Sequence, residues 1–192
     1  MPASAIDTSI LQIGSVATSG KGAKSAPIVL PGDKPVFRQP ASPLIAMYEP
    51  SAYQNADATR INVVLRPTPE QEQELKELDD WILAYIAENS ERLLGKTHTT
   101  SQLTERYQTI LKTSDKYPTT IRAKMNTQGF SATKFWNVEG KTCPAPSIWS
   151  GCAVWPRIRV KGLRFMSRQF GVLLELTDAR VEQAETSCPF DV

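Results

Sequence analysis

Between positions 157 and 168 the chain reads Arg-Ile-Arg-Val-Lys-Gly-Leu-Arg-Phe-Met-Ser-Arg. In an extended strand successive side chains point to opposite faces, so Arg157, Arg159 and Lys161 share one face while Ile158 and Val160 pack inward. A row of cations can neutralise a polyanion, and rings beside it can carry flat groups such as nucleobases. Gly162 is expected to break the run and to leave Arg164, Phe165 and Arg168 in a turn. Residues 119–126 repeat the pattern, with Arg122 and Lys124 opposite Ile121, Ala123 and Met125. If both strands lie in one wall, the five cations form a basic stripe. Lys134 and Trp136 occupy a third strand, and Trp149, Trp155, Phe165 and Phe170 are further candidates for stacking. Trp149 lies in a Pro/Ser/Gly loop and Phe165 between two arginines, so these two are expected to be exposed; Phe170, beside Gly171, is expected in the core. The same alternation also fits the solvated outer face of a half-buried sheet.

Other chemistries find few residues to work with. His98 is the only histidine, which removes any arrangement built on a histidine base and leaves too few soft ligands for zinc. Three cysteines, 143, 152 and 188, contain no CxxC pair and fit a reducing, intracellular compartment better than a disulfide framework. Residues 14–22, GSVATSGKG, imitate a phosphate loop, but the glycine spacing is one residue too long and Gly22 stands where a Ser or Thr should meet magnesium. Asp79-Asp80 lies on a helix whose acids surround its surface, the pattern of a solvated helix. No enzyme, cofactor or metal is expected.

Charge is segregated. The net charge of the 192 residues is +2, yet residues 121–170 hold nine Lys/Arg and a single acid, Glu139. Residues 70–92 hold eight acids against Lys76 and Arg92, and residues 175–192 hold five against Arg180. A basic centre between acidic flanks points to an anionic partner more strongly than the overall balance does. A hydrophobic fraction of 41% with 22% charged residues suits a globular domain, and no apolar run approaches the roughly 18–20 residues of a membrane helix.

Several elements must position these residues. Residues 1–43 carry Pro27, Pro31, Pro35, Pro40 and Pro43 and read as a flexible arm, with 28–30 able to add one edge strand. Strands are expected at 44–48 and 60–66. Thr68 then caps a helix that begins at Pro69, runs through Leu75, Leu78, Ile82 and Ile86 and stops at Gly95. A second helix is expected over 101–112, followed by strands at 119–126, 133–138, 151–161 and 170–181. The tail 182–192 is acidic. This order is α+β and suits a small Greek-key β-barrel of the OB-fold type with a helical insertion, spanning 44–181.

The order of a PTPEQ helix start, ERYQTILK, YPTTIRAKM, an FW strand, VWPRIRVKGLRFMSRQFGVLLELTDARV and an acidic tail resembles viral single-stranded-DNA-binding proteins with an OB-fold, those of short-tailed phages and large eukaryotic DNA viruses. The resemblance covers about 44–192; the tail is short for the family, and the proline-rich arm lies outside the pattern. It implies sequence-tolerant ssDNA binding in viral replication or recombination, on Arg122, Lys124, Trp136, Arg157, Arg159, Lys161, Arg164 and Phe165. It also implies docking of replication proteins through Phe190 and Asp191. A homodimer or DNA-dependent oligomer stays open. The alternatives are a virion structural or assembly protein that holds packaged nucleic acid and an RNA-binding accessory module.

Overall fold

The computed structural model describes residues 6–20, 22–52 and 58–182. Its strands are β1 (Gln12–Ile13), β2 (Ala17–Thr18), β3 (Lys24–Leu30), β4 (Lys34–Arg38), β5 (Leu44–Ala46) and β6 (Arg60–Arg66), followed after the helices by β7 (Tyr107–Gln108), β8 (Ile121–Asn126), β9 (Lys134–Trp136), β10 (Thr142–Cys143), β11 (Ala153–Phe165) and β12 (Phe170–Glu182). Between β6 and β7 come α1 (Pro69–Glu88), α2 (Ser90–Leu94) and α3 (Thr100–Thr104). The fold is thus sheet-rich with few helices.

Five strands pair into a ring. β11 is antiparallel to β5 and β12, β6 is antiparallel to β5 and β8, and β8 runs parallel to β12. Alternation decides which side chains fill it: Val63 and Leu65, Ile121 and Ala123, Val154, Ile158 and Val160, Leu174 and Leu176 are all buried. Apart from the smaller Ala123, each of these aliphatics contributes about 1.5–3 kcal/mol when fully buried. A one-residue slip of any ring strand would turn this set outward.

Helix α1 starts as its sequence dictates. Thr68 Oγ1 accepts the Gln71 N–H at 3.4 Å while Gln71 Oε1 accepts the Thr68 N–H at 3.0 Å, a reciprocal capping box ahead of Pro69. Leu75, Leu78, Ile82 and Ile86 bury one stripe. The helix breaks at Asn89, and α2 then ends on Gly95 at φ +75°.

Three expectations are corrected. Residues 24–38, expected within a flexible arm, form the β3–β4 hairpin. β4 pairs with Ile158–Val160 and β3 with Gly162–Phe165 of β11. Ala26, Ile28 and Val36 alternate into the core. Pro27 has no N–H to give, but its carbonyl accepts the Gly14 N–H at 2.9 Å. Arg38 is buried too, paired at 2.7 Å with Glu74 of α1.

Gly162 does not end its strand. At φ +148° it forms a bulge where a Cβ would lie 2.2 Å from the Ala26 carbonyl oxygen, so glycine lets β3 approach while β11 continues to Phe165. The turn is Met166–Gln169, closed by a 2.7 Å hydrogen bond from the Met166 N–H to the Gln169 carbonyl.

The helix expected over 101–112 is only α3, capped by Thr99. Asp79 of α1 explains why. Its buried carboxylate accepts the Tyr107 hydroxyl at 2.5 Å and the Ile110 N–H at 3.0 and 3.1 Å, which draws the chain out of the helix, with Tyr107 and Gln108 as a short strand beside β12. Asp79 is therefore not one of the solvated helix acids.

Candidate nucleic-acid interface

Strand β8 turns Ile121, Ala123 and Met125 inward, which sends Arg122 and Lys124 out. Two further cations meet them there. The Lys112–Thr120 bridge brings Lys112 alongside the start of β8, and the far end of β11 supplies Arg164. Together Lys112, Arg122, Lys124 and Arg164 line a cleft of about 200 Å³ whose wall contains no carboxylate among the described residues. Burial dominates the state of both lysines, with neighbouring charges as the lesser cause. Burial, then the charges of Arg60, Arg122 and Arg164, hold Lys124 below the ordinary lysine value. Burial also lowers Lys112, with the Asp79 charge working against it and the Arg122 charge adding to it. A second cleft, of about 430 Å³, holds Lys24, Arg60, Arg159 and Lys161 and shares Arg164 with the first.

Strand β11 also presents its cations outward, as its alternation requires, but their neighbours differ. Register places Arg157 opposite Asp178 and Arg159 opposite Glu175 of β12. Arg157 Nη1 lies 3.7 Å from Asp178 Oδ2, and its guanidinium sits 4.0 Å over the Phe37 ring. Glu175, only 7% exposed in its side chain, lies 3.3 Å from Lys161 Nζ and 3.5 Å from Arg60 Nη2. It also accepts the Asn126 side-chain amide at 3.1 Å. Burial alone would raise the Glu175 pKa, but the Asn126 hydrogen bond and the Lys161 and Arg60 charges hold it below the usual carboxylate value. Glu175 is a register neighbour of Lys124 as well, yet its contacts run to Lys161, Arg60 and Asn126. Two of the three cations of the stripe that stands out in the sequence, Arg157 and Lys161, are thus matched by acids from the adjacent strand.

The remaining candidates separate by burial. Trp149 is 3% exposed and packs edge-on against Phe135 at 5.7 Å, so the expectation of an exposed stacking ring is corrected. The cause is Glu49, whose carboxylate gathers the Trp149 and Ser150 N–H groups at 2.9 and 3.0 Å and folds the loop inward. Phe165 is half-buried, stacked on the core residue Phe170 at 5.9 Å. Trp136 and Trp155 line a third cleft with Arg157, Asp178 and Arg180. There the Trp136 indole N–H donates to Asp178 Oδ1 at 3.1 Å and the Arg180 guanidinium covers Trp155 at 4.2 Å. Lys134 is exposed on β9 opposite Asp178, and Arg168 is exposed in the β11–β12 turn. Phe190 and Asp191 lie outside the described residues.

Sequence reasoning missed Arg60, Lys112 and the acid partners. Arg60 stood opposite Ile61 and Val63 in a legible strand, which was signal enough to add it. Lys112 was hidden inside an expected helix. Glu175 and Asp178 were visible as charges within an apolar strand, but their partners depend on register.

No protein-family model matches the chain, and no curated protein matches it. Solved structures do. The single-stranded DNA-binding protein from bacteriophage Enc34, in complex with ssDNA, aligns with a TM-score of 0.51 at 14% identity, over 92% of this chain and 97% of that one. The gp2.5 protein of bacteriophage T7, described as a single-stranded DNA binding protein, aligns with a TM-score of 0.50 at 14% identity, over 82% of this chain and 92% of that one. At these identities the likeness establishes a shared fold: the chain has the architecture of phage single-stranded-DNA-binding proteins.

Proposed function

We propose that the protein binds single-stranded DNA without reading its sequence and serves viral replication or recombination. The observation that carries this reading is the acid-free cleft of Lys112, Arg122, Lys124 and Arg164, joined at Arg164 to a second cationic cleft. The cations of the first cleft can neutralise phosphates and release their counterions while carrying no base-specific information, whereas Lys161 and Arg60 of the second are already paired with Glu175. The five-stranded ring β11–β5–β6–β8–β12 is read as an OB-type barrel, whose second and third strands commonly face oligonucleotides. In this ring those strands are β6 and β8, which carry Arg60, Arg122 and Lys124. The shared fold with phage single-stranded-DNA-binding proteins supports the same reading. The sequence resemblance supports Phe190 and Asp191 as contacts for replication proteins.

Fluorescence anisotropy with labelled oligo-dT and a length-matched duplex tests the proposal. Four to six neutralised phosphates give a slope of roughly −3 to −4 in log K against log salt concentration. The expected result is that slope with oligo-dT preferred over duplex. Equal affinity for both, or binding indifferent to salt, would sink it.

A further inference from the structure

Among the described residues the two cationic clefts offer single-stranded DNA a path for phosphates and nothing flat for its bases, since no aromatic side chain lines either one. The rings nearest the β11–β12 hairpin are committed elsewhere, to the core or to Asp178 and Arg180. Three aromatic side chains are largely exposed among the described residues: Tyr48 at 56%, Tyr117 at 68% and Phe130 at 111%. Tyr48 stands beside an acid, Glu49. The other two flank β8, the strand that carries Arg122 and Lys124, with Tyr117 before it and Phe130 after it.

Neither flank is a loose end. The Phe130 turn is fastened by hydrogen bonds from the Ala132 N–H to Gly129 at 3.1 Å and from the Thr133 N–H to Asn126 at 2.8 Å. Gly129 supplies the left-handed residue at φ +78°. The Asn126 side-chain amide donates to the Ser131 carbonyl at 3.2 Å and to Glu175 at 3.1 Å, which ties the turn to the cluster holding Arg60 and Lys161. On the other side, the paired backbone bonds between Lys112 and Thr120, at 2.7 and 3.0 Å, join the Tyr117 segment to a wall of the acid-free cleft. A bare phenyl ring held out by an ordered turn gives up all of its hydrophobic gain unless a ligand covers it.

We propose that Phe130 and Tyr117 are base-stacking platforms at the two ends of β8. A strand whose phosphates follow Arg122 and Lys124 then lays a base on a ring at either end of a track about 20 Å long, at 3.3 Å per residue. This assignment rests on the ssDNA reading, and it requires no particular base because every base has a flat face.

The test measures oligo-dT affinity of the full chain across a salt series for wild type, Phe130→Ala, Tyr117→Ala and Phe130→Trp, with light scattering of each protein alone. Each alanine variant is expected to weaken binding about 5- to 160-fold, the range of one lost base stack, with the salt slope unchanged because no phosphate contact is lost. Phe130→Trp is expected to bind like wild type, since any flat ring serves. Alanine variants that bind normally overturn the assignment. So does a weakened Phe130→Ala protein that has changed its oligomeric state, which would make the ring a contact between copies. A wild-type protein that fails to bind oligo-dT overturns the functional reading itself, a result distinct from a failure confined to the ring variants.

Discussion

The β8 wall and the β11 stripe follow one design, cations alternating with aliphatics on a half-buried strand, and they end in different electrostatic states. Arg122 and Lys124 of β8 meet Lys112 and Arg164, so charge accumulates. Arg157 and Lys161 of β11 meet Asp178 and Glu175 of β12, so charge is matched. Both strands pair with β12, so which cations its acids contact, not the row of cations itself, decides whether that row is free for a ligand. Counting charges along the chain sees the first and misses the second.

Breaking the β8 wall should have the largest effect. Arg122→Ala with Lys124→Ala removes two phosphate contacts, each worth about 0.7 in salt slope, so affinity for oligo-dT at 0.1 M salt is expected to fall about 25-fold. Anisotropy across a salt series reads both the loss and a slope flatter by about 1.4.

A smaller change should turn the matched stripe into an unmatched one. Glu175→Gln keeps an acceptor for the Asn126 amide while releasing Lys161 and Arg60 from their counter-charge. One freed phosphate contact predicts about fivefold tighter binding and a slope steeper by about 0.7. Unchanged or weaker binding in a folded variant would show that Glu175 does not neutralise the stripe.

The smallest effect on binding should come from Asp79, which acts on the β8 wall at one remove by fixing the backbone that leads to Lys112. Burial pushes its carboxyl up to about 6 from an ordinary 3.8, against the hydrogen bonds from Tyr107 and Ile110. Between these values the folded state binds more protons than the unfolded state. Stability from this group is therefore present below about pH 4 and declines as pH rises to about 6. Thermal melts of Asp79→Asn should lose that slope, while affinity changes by no more than about twofold. A wild-type melting temperature that does not fall across this window, beyond the trend of the variant, would contradict the assignment.

Local signals were the legible ones. Strand β6 and the Thr68–Pro69 helix start were readable because alternation, capping and proline placement act over a few residues. Elements governed by distant partners were not. Asp79 holds 107–110 out of the helix, Glu49 buries Trp149, and β11 recruits the proline-containing hairpin 24–38. The same holds for the interface. Arg122, Lys124 and Arg164, which the structure gathers in one cleft, were legible as candidates, whereas the pairing of Arg157 and Lys161 with acids depends on a register with two irregularities that no local pattern encodes.

One comparison tests the central claim most directly: oligo-dT titrations, in one salt series, of Arg122→Ala/Lys124→Ala against Arg157→Ala/Lys161→Ala. Both variants remove two positive charges. The acid-free wall predicts a large loss and a flatter slope for the first, with less than about threefold loss and an unchanged slope for the second, because acid-paired surface cations contribute little. Equal losses, or a larger loss from the β11 pair, would contradict the account.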